Sequence, residues 1–260
     1  MSFLYYRLEC PVLPQIIHPM RICYLPKDKL EDKITISDPR QIRHLAVVLR
    51  LKRGDEVSAF DGEKRECLCQ IEKIMKDKIS LTVRGTKTVS LSNKEITLAC
   101  AIPKNVKMDY IIQKTTELGV SRIIPMHTKR TIVKIDARKA ADKQERWQRI
   151  AQEASKQSKR IRFPLIDPVR EFKDVLSEIS GYDLAIIPNL EKGNKAIAEA
   201  VNASKGKSII FFIGPEGDFT ADEVASAREK GCIGVSLGDL TLKVDTAAIA
   251  VTAFLRLIGI

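Results

Sequence analysis

Two glycine loops and one Arg-rich stripe carry the residues of this sequence that could do chemistry. The first loop, Gly214-Pro215-Glu216-Gly217-Asp218, follows five apolar residues, Ile209 to Ile213. Thr220, with Glu223 three positions on, then makes a capping box that opens a helix. Strand, Gly-rich turn and helix N-terminus together present free backbone N–H groups to a ligand. Any α/β domain contains such turns, so the loop alone names no ligand. The second loop is Leu237-Gly238-Asp239-Leu240-Thr241-Leu242, after which Asp245-Thr246 reads as the cap of a final helix. The stripe comprises Arg146, Arg149, Glu153, Gln157 and Arg160, beside an apolar stripe of Trp147, Ile150, Ala151 and Ala154. It reads either as a solvated face with an Arg149–Glu153 pair worth ~0.3–0.5 kcal/mol or as a surface for phosphates and base edges.

The bulk numbers narrow the class. A chain of 260 residues, 44% hydrophobic and 30% charged, has ample material for a core. The net charge is +11, and Lys129–Arg162 holds twelve Lys/Arg against four Asp/Glu, so a polyanionic partner is expected there. No apolar run approaches the ~20 residues that span a bilayer, and no membrane role is expected. The first nineteen residues have neither a basic n-region nor a compact apolar h-region. They read as an extension, with translation expected to start at Met20. Six cysteines (10, 23, 67, 69, 100, 232) form no C-x-x-C pair, which fits reduced thiols in a cytoplasmic protein and no metal site. There is no G-x-G-x-x-G, Walker loop, G-x-S-x-G or H-E-x-x-H.

The elements that must position these loops fall into two domains. From residue 20 to about 90 the signals are short strands. A helix after Asp38-Pro39 interrupts them, with Ile42, Leu45, Ala46 and Leu49 at helical spacing and Arg43, His44 and Arg50 among them. A small β-barrel is predicted. After a polar linker, residues 95–260 alternate β and α. Strands are expected at Ile96–Ile102, Val120–Met126, Asp183–Pro188, Ser208–Ile213 and Cys232–Leu237. Helices are expected over 108–118, stopped by Gly119, and over 138–160, 194–201 and 247–258. The last is apolar nearly all round, so it needs cover from the core or from a second subunit.

Three stretches together resemble the RsmE-type 16S rRNA (uracil-N3)-methyltransferases of the SPOUT class. They are AIPKNVKMDYIIQKTTELGVSRIIPM, RWQRIAQEASKQSKR and FFIGPEGDFTADEV with GVSLGDLTLKVDTAAIA, and RHLAVVLRLKRGDEVSAFDG adds to them. The resemblance implies a PUA-like β-barrel followed by a SPOUT domain, an α/β parallel sheet with a deep trefoil knot, in a homodimer. It implies S-adenosylmethionine bound by Pro188, Ile213, Gly214, Pro215, Glu216, Gly217, Leu237, Gly238, Leu242 and Thr246. RNA-facing positions would be Arg43, His44, Arg50, Arg146, Arg149, Glu153, Gln157, Arg160 and Lys243. The substrate would be N3 of one uridine in 16S rRNA of the small ribosomal subunit, number 1498 in the standard bacterial scheme. Arg160 would stabilise charge on the deprotonated base, and Glu216, Asp245 or water would take the N3 proton. Three departures stand out: Asp218 and Lys159 occupy positions where the family usually has Gly, and Thr241, Lys243 and Asp245 replace an Arg-rich stretch ending in Glu-Thr-Ala. A non-catalytic RNA-binding or ribosome-assembly factor on the same fold stays open, as does a SPOUT ribose 2′-O-methyltransferase.

Overall fold

Alternating apolar residues build a small curled sheet in the N-terminal part of the chain. The computed structural model describes residues 22–24, 32–62, 64–88, 94–104, 107–191, 193–204 and 206–258. The expected extension over residues 1–19 and the start at Met20 lie outside the described residues. The chain forms two units, one reaching to Phe60 with Cys67–Thr86, the other taking Asp61–Glu66 with Lys87 onward. In the first unit, β1 (Ile22–Tyr24), β2 (Lys33–Ile36), β3 (Glu56–Phe60), β4 (Arg65–Ile74) and β5 (Ile79–Thr88) run in the order β1-β3-β4-β5-β2. Ile34, Ile36, Val57, Ala59, Cys67, Cys69, Ile71, Ile79 and Leu81 point into its core. Cys67 and Cys69 share that inner face, as their spacing of two requires.

The helix after Asp38 departs from its expected form. Asp38 does cap it, accepting from the Arg40 N–H at 2.9 Å, and α1 covers Pro39–Arg43. The chain then widens into a π turn over His44–Val48 rather than continuing as α-helix to Leu49. Leu45 stays buried while Val47 and Val48 face outward. Arg50 ends the turn with a positive φ of 52°.

The second unit is a parallel sheet clad on both faces. Its strands are β6 (Glu95–Ala101), β7 (Arg122–His127), β8 (Leu165–Ile166), β9 (Arg170–Glu171), β10 (Leu184–Pro188), β11 (Lys195–Ala196), β12 (Ser208–Ile213) and β13 (Ile233–Ser236). They lie in the order β11-β13-β10-β12-β6-β7-β8, with β9 also on β7. Every pairing is parallel. Strand β12 shows why: Ile209, Phe211 and Ile213 enter one core while Ile210 and Phe212 enter the other. A strand buried on both faces reads as an unbroken apolar run. Helices α2 (Lys107–Glu117), α3 (Ala137–Gln157), α5 (Ile197–Ala203) and α7 (Val244–Leu257) cover the first face. Helices α4 (Phe172–Leu176) and α6 (Ala221–Glu229) cover the second.

Two expected boundaries move, and both moves affect candidate residues. Helix α3 ends at Gln157, so Arg160 is not on its stripe. Lys159 takes φ +60°, the left-handed conformation that closes helices, and the chain turns away. Helix α7 begins at Val244 with Lys243 as its cap residue, so Asp245 lies in its first turn and caps nothing.

Candidate active site

Parallel strands deliver their following loops to one edge, and three adjacent strands here deliver the glycine loops. Strand β10 lies between β12 and β13, with Ile186 level with Phe211 and Pro188 level with Val235. Pro188, Ile213 and Ser236 therefore end side by side. The residues after them, 189–191, 214–218 and 237–242, share the carboxyl edge of the sheet, where open α/β sheets bind ligands. Pro188, Ile213 and Pro215 are buried; Leu237 and Leu242 pack on the core; Gly238 is open, with φ +114° and free space where a Cβ would stand. Leu190 and Leu240, 67% and 79% exposed, stand at the same edge.

The first glycine loop is anchored from below by Phe219. Its ring stacks at 5.3 Å on Phe172, which meets Phe212 edge-on at 5.6 Å. That ring would lie 3.1 Å from a Cβ at Gly214, which explains the glycine there. The capping box is present: Thr220 Oγ1 accepts from the Glu223 N–H at 3.3 Å, and Glu223 Oε2 accepts from the Thr220 N–H at 2.8 Å. The other Glu223 oxygen accepts from the Lys129 N–H at 2.8 Å. Side chains from neighbouring loops hold the turn itself. Arg130 Nη1 donates to the Gly217 carbonyl at 2.6 Å and to the Phe219 carbonyl at 3.3 Å. Asp218, with φ +59°, accepts from the Leu190 N–H at 3.2 Å.

The two candidate carboxylates come to the same edge but differ in state. Glu216 is exposed, and its Oε1 accepts from the Lys104 N–H at 3.1 Å. Asp245 Oδ1 is buried and has no hydrogen-bond partner among the described residues; Lys107 Nζ is 3.9 Å away. A buried oxygen left unsatisfied is costly, and it marks a place where a ligand donor fits. Thr246 is exposed beside it, as is Lys243. Behind the loop, burial and the nearby Glu216 charge push the Cys100 thiol up to about 12. Cys69 and Cys232 are likewise pushed up to about 12, chiefly by burial, so none of these thiols is a nucleophile at neutral pH.

The Arg-rich stripe occupies a different place. Arg146, Arg149, Glu153 and Gln157, with Gln113 of α2, line an open groove of about 770 Å³. Trp147 and Ala151 hold α3 onto the core. The ion pairs differ from the expected Arg149–Glu153 bridge. Arg149 reaches back to Glu145 at 3.2 Å, Glu153 pairs with Lys156 at 3.0 Å, and Arg146 binds Asp109 at 2.5 Å. Arg160 Nη1 donates to the carbonyls of Thr116 and Val120, each at 2.8 Å. Those carbonyls lie just before β7, level with Ile96 at the amino edge of the sheet, because the Ser121 N–H donates to the Ile96 carbonyl. Within one chain, Arg160 and the glycine loops are at opposite ends of the parallel strands. On the first unit, Arg43, His44 and Arg50 are all exposed along the α1 and π-turn segment, beside Val47 and Val48. Sequence reading missed Arg130, Lys104, Lys107 and Leu190: Lys104 and Lys107 lie inside a family-like stretch without a role of their own, the runs around Arg130 and Leu190 carry no motif, and the topology brings all four to the loops.

Comparison with known proteins places the chain. Residues 90–256 match the family described as RNA methyltransferase domain, and residues 36–84 match the RNA methyltransferase PUA domain. Ribosomal RNA small subunit methyltransferase E of Bacillus subtilis is 32% identical over 230 residues, 86% of this chain and 90% of that protein. The chain belongs to the RsmE family. The Aquifex aeolicus RsmE is 31% identical over 83% of this chain and 90% of its own length. The crystal structure of the Neisseria gonorrhoeae RsmE, bound to S-adenosyl methionine, superposes with a TM-score of 0.77 at 29% identity, covering 92% of this chain and 98% of that one. Two of the departures from the usual RsmE pattern now have a physical reading. Asp218 and Lys159 replace glycine at positions that both require positive φ, a conformation glycine adopts without strain.

Proposed function

We propose that this chain transfers a methyl group from S-adenosylmethionine to N3 of a uridine in 16S rRNA of the small ribosomal subunit, the uridine at 1498. The observation that carries this reading is the convergence of the two glycine loops and the loop after Pro188 on one sheet edge, beside an Asp245 oxygen that has no hydrogen-bond partner among the described residues, in an RsmE chain. When bound, S-adenosylmethionine supplies an electrophilic methyl group. The residues present fit it: the open glycine loops 214–218 and 237–242 leave room for a polar ligand beside the unsatisfied Asp245 oxygen, while Pro188, Leu237 and Leu242 offer an apolar wall that excludes water. Holding donor and base in line accounts for much of the rate in such a reaction.

Uridine N3 carries a proton that must leave before it attacks. Of the two carboxylates, Asp245 suits that task better, since Glu216 is committed to the Lys104 amide. Lys107 Nζ stands 3.9 Å from the Asp245 carboxylate, on the side where the base would approach the loops. N3 lies on a Watson–Crick edge, so the base must be unpaired or turned out of its stack to reach the site. We further propose a homodimer, with the SPOUT knot formed where α7 leaves the sheet edge at β13 and returns to pack on α2 and β6.

The test is mass spectrometry of nucleosides from small-subunit RNA incubated with the chain and S-adenosylmethionine. The expected product is 3-methyluridine at one site. A 2′-O-methylated ribose would replace this reading with that of a ribose methyltransferase. No methylation and no heat of S-adenosylmethionine binding would leave a non-catalytic RNA-binding protein.

A further inference from the structure

The Gly214–Asp218 loop is held from two sides by residues outside the glycine pattern. From one side comes Arg130, on the segment between β7 and α3. Its guanidinium grips the carbonyls of Gly217 and Phe219, the residues flanking Asp218, at 2.6 and 3.3 Å. On the other side Asp218 reaches out: its Oδ2 accepts from the Leu190 N–H on the loop after β10, and its Oδ1 accepts from the Phe219 N–H at 2.8 Å. The left-handed backbone of Asp218 aims the two flanking carbonyls at Arg130 and its own carboxylate at Leu190. The segment carrying Arg130 is itself fixed. Lys129 binds Asp222 at 2.8 Å through its ammonium and Glu223 through its N–H, and Thr128 and Thr131 bond to each other in the interior at 3.0 Å.

We infer that Arg130 and Asp218 are positioning residues for the methyl donor, a clamp that fixes two of its three loops in the binding shape. This rests on the reading that those loops hold S-adenosylmethionine. A Gly-rich turn has the largest conformational freedom to lose on ordering. Fixing it beforehand removes that cost from binding. Asp218 serves where a glycine could not, because a glycine has no carboxylate to tie the 214–218 loop to the 189–191 loop. The clamp engages the Gly217 and Phe219 carbonyls and the Leu190 amide, so it fixes the backbone of the turn through groups other than Gly214, Pro215 and Glu216.

The experiment is calorimetry with S-adenosylhomocysteine on the full chain, with thermal unfolding measured in parallel. Arg130→Ala and Asp218→Gly should each weaken the affinity roughly ten-fold, the scale of one charge-assisted hydrogen bond. Asp218→Asn tolerates positive φ and can still accept from Leu190, so it should stay within about two-fold of wild type. Arg130→Lys should recover part of the loss, as one donor replaces a fork. A purely structural role would lower the unfolding midpoint and leave the affinity of the folded fraction unchanged, which would overturn the clamp. Equal affinities for Asp218→Gly and wild type would overturn it too. If wild type itself gave no heat, the donor-site reading would fail, and the clamp with it.

Discussion

Asp245 and Arg160 are both charged, both expected at the reacting base, and physically opposite. The Asp245 oxygen is buried without a hydrogen bond, a state that a folded chain tolerates for a reason other than stability. Asp245→Asn should therefore leave the unfolding midpoint unchanged or slightly higher while lowering turnover by ~10²–10³, the range for losing a general base. Equal turnover in single-turnover methylation would remove Asp245 from that role. Arg160 makes bonds that stability does need. It ties the C-terminal end of α2 to the start of β7 by donating to the Thr116 carbonyl, which also accepts from the Gly119 N–H, and to the Val120 carbonyl. Arg160→Ala should cost about 1.5–3 kcal/mol, as for hydrogen bonds from a charged donor, which lowers the unfolding midpoint by several degrees. An unchanged midpoint would show that these two bonds contribute nothing net. One residue earlier, Lys159 holds a φ that glycine takes freely. Lys159→Gly should raise the midpoint by roughly 2 °C, from about 1 kcal/mol of relieved strain.

At the scale of elements, α7 decides how the chain associates. Its inner stripe, Val244, Ala248, Val251 and Leu255, is buried in the sheet core. Leu257 and Ile258 stay exposed, Ile249 and Phe254 are half-buried, and Tyr110 of α2, which packs against α7, is exposed too. A second copy is the cover that such a face calls for. Leu257→Glu should give a monomer by light scattering at micromolar concentration with the fold intact by circular dichroism. A dimer that persisted would move the interface elsewhere. Much of this layout was legible beforehand. The continuous apolar runs of β6 and β12, the Gly119 stop of α2 and the capping box of α6 are local signals, and each lies where periodicity puts it. Strands β8, β9 and β11 were not legible, because two residues have no period and exist only through a neighbouring strand. The end of α3 was missed for a related reason. The helical spacing runs on through Arg160, and only the left-handed turn at Lys159 breaks it. The proposed donor loops were visible as glycine patterns, whereas Arg130 comes to them through topology alone.

At the scale of the molecule, the parallel sheet separates the Asp245 loops from the Arg160 end of α3, two sets of residues proposed for one reaction. The proposed donor loops, with Asp245, lie at the carboxyl edge, while Arg160 lies at the amino edge with Gln157, the last residue of α3, near it. Ile209 and Ile213 are four residues apart on β12, which is about 13 Å at the usual rise, and no side chain of the α3 end spans that distance and the loop beyond it. The Arg146 end of the α3 groove, bound to Asp109, lies toward the loops of its own chain, but a uridine held at the Glu153–Gln157 end and methylated at the loops would bridge two copies, with one supplying the groove and the other the donor. Mixing two inactive variants tests this. One carries Asp245→Asn; the other carries Glu153→Ala and Gln157→Ala, both exposed positions where substitution moves stability by less than ~0.5 kcal/mol. After joint refolding half of the dimers are mixed, and each mixed dimer holds one site with both sets intact. Methylation should recover to about a quarter of the wild-type level, from one competent site in two across half the dimers. If groove and loops of a single chain served the same base, every site in the mixture would lack one set, and activity would stay at the level of the separate variants.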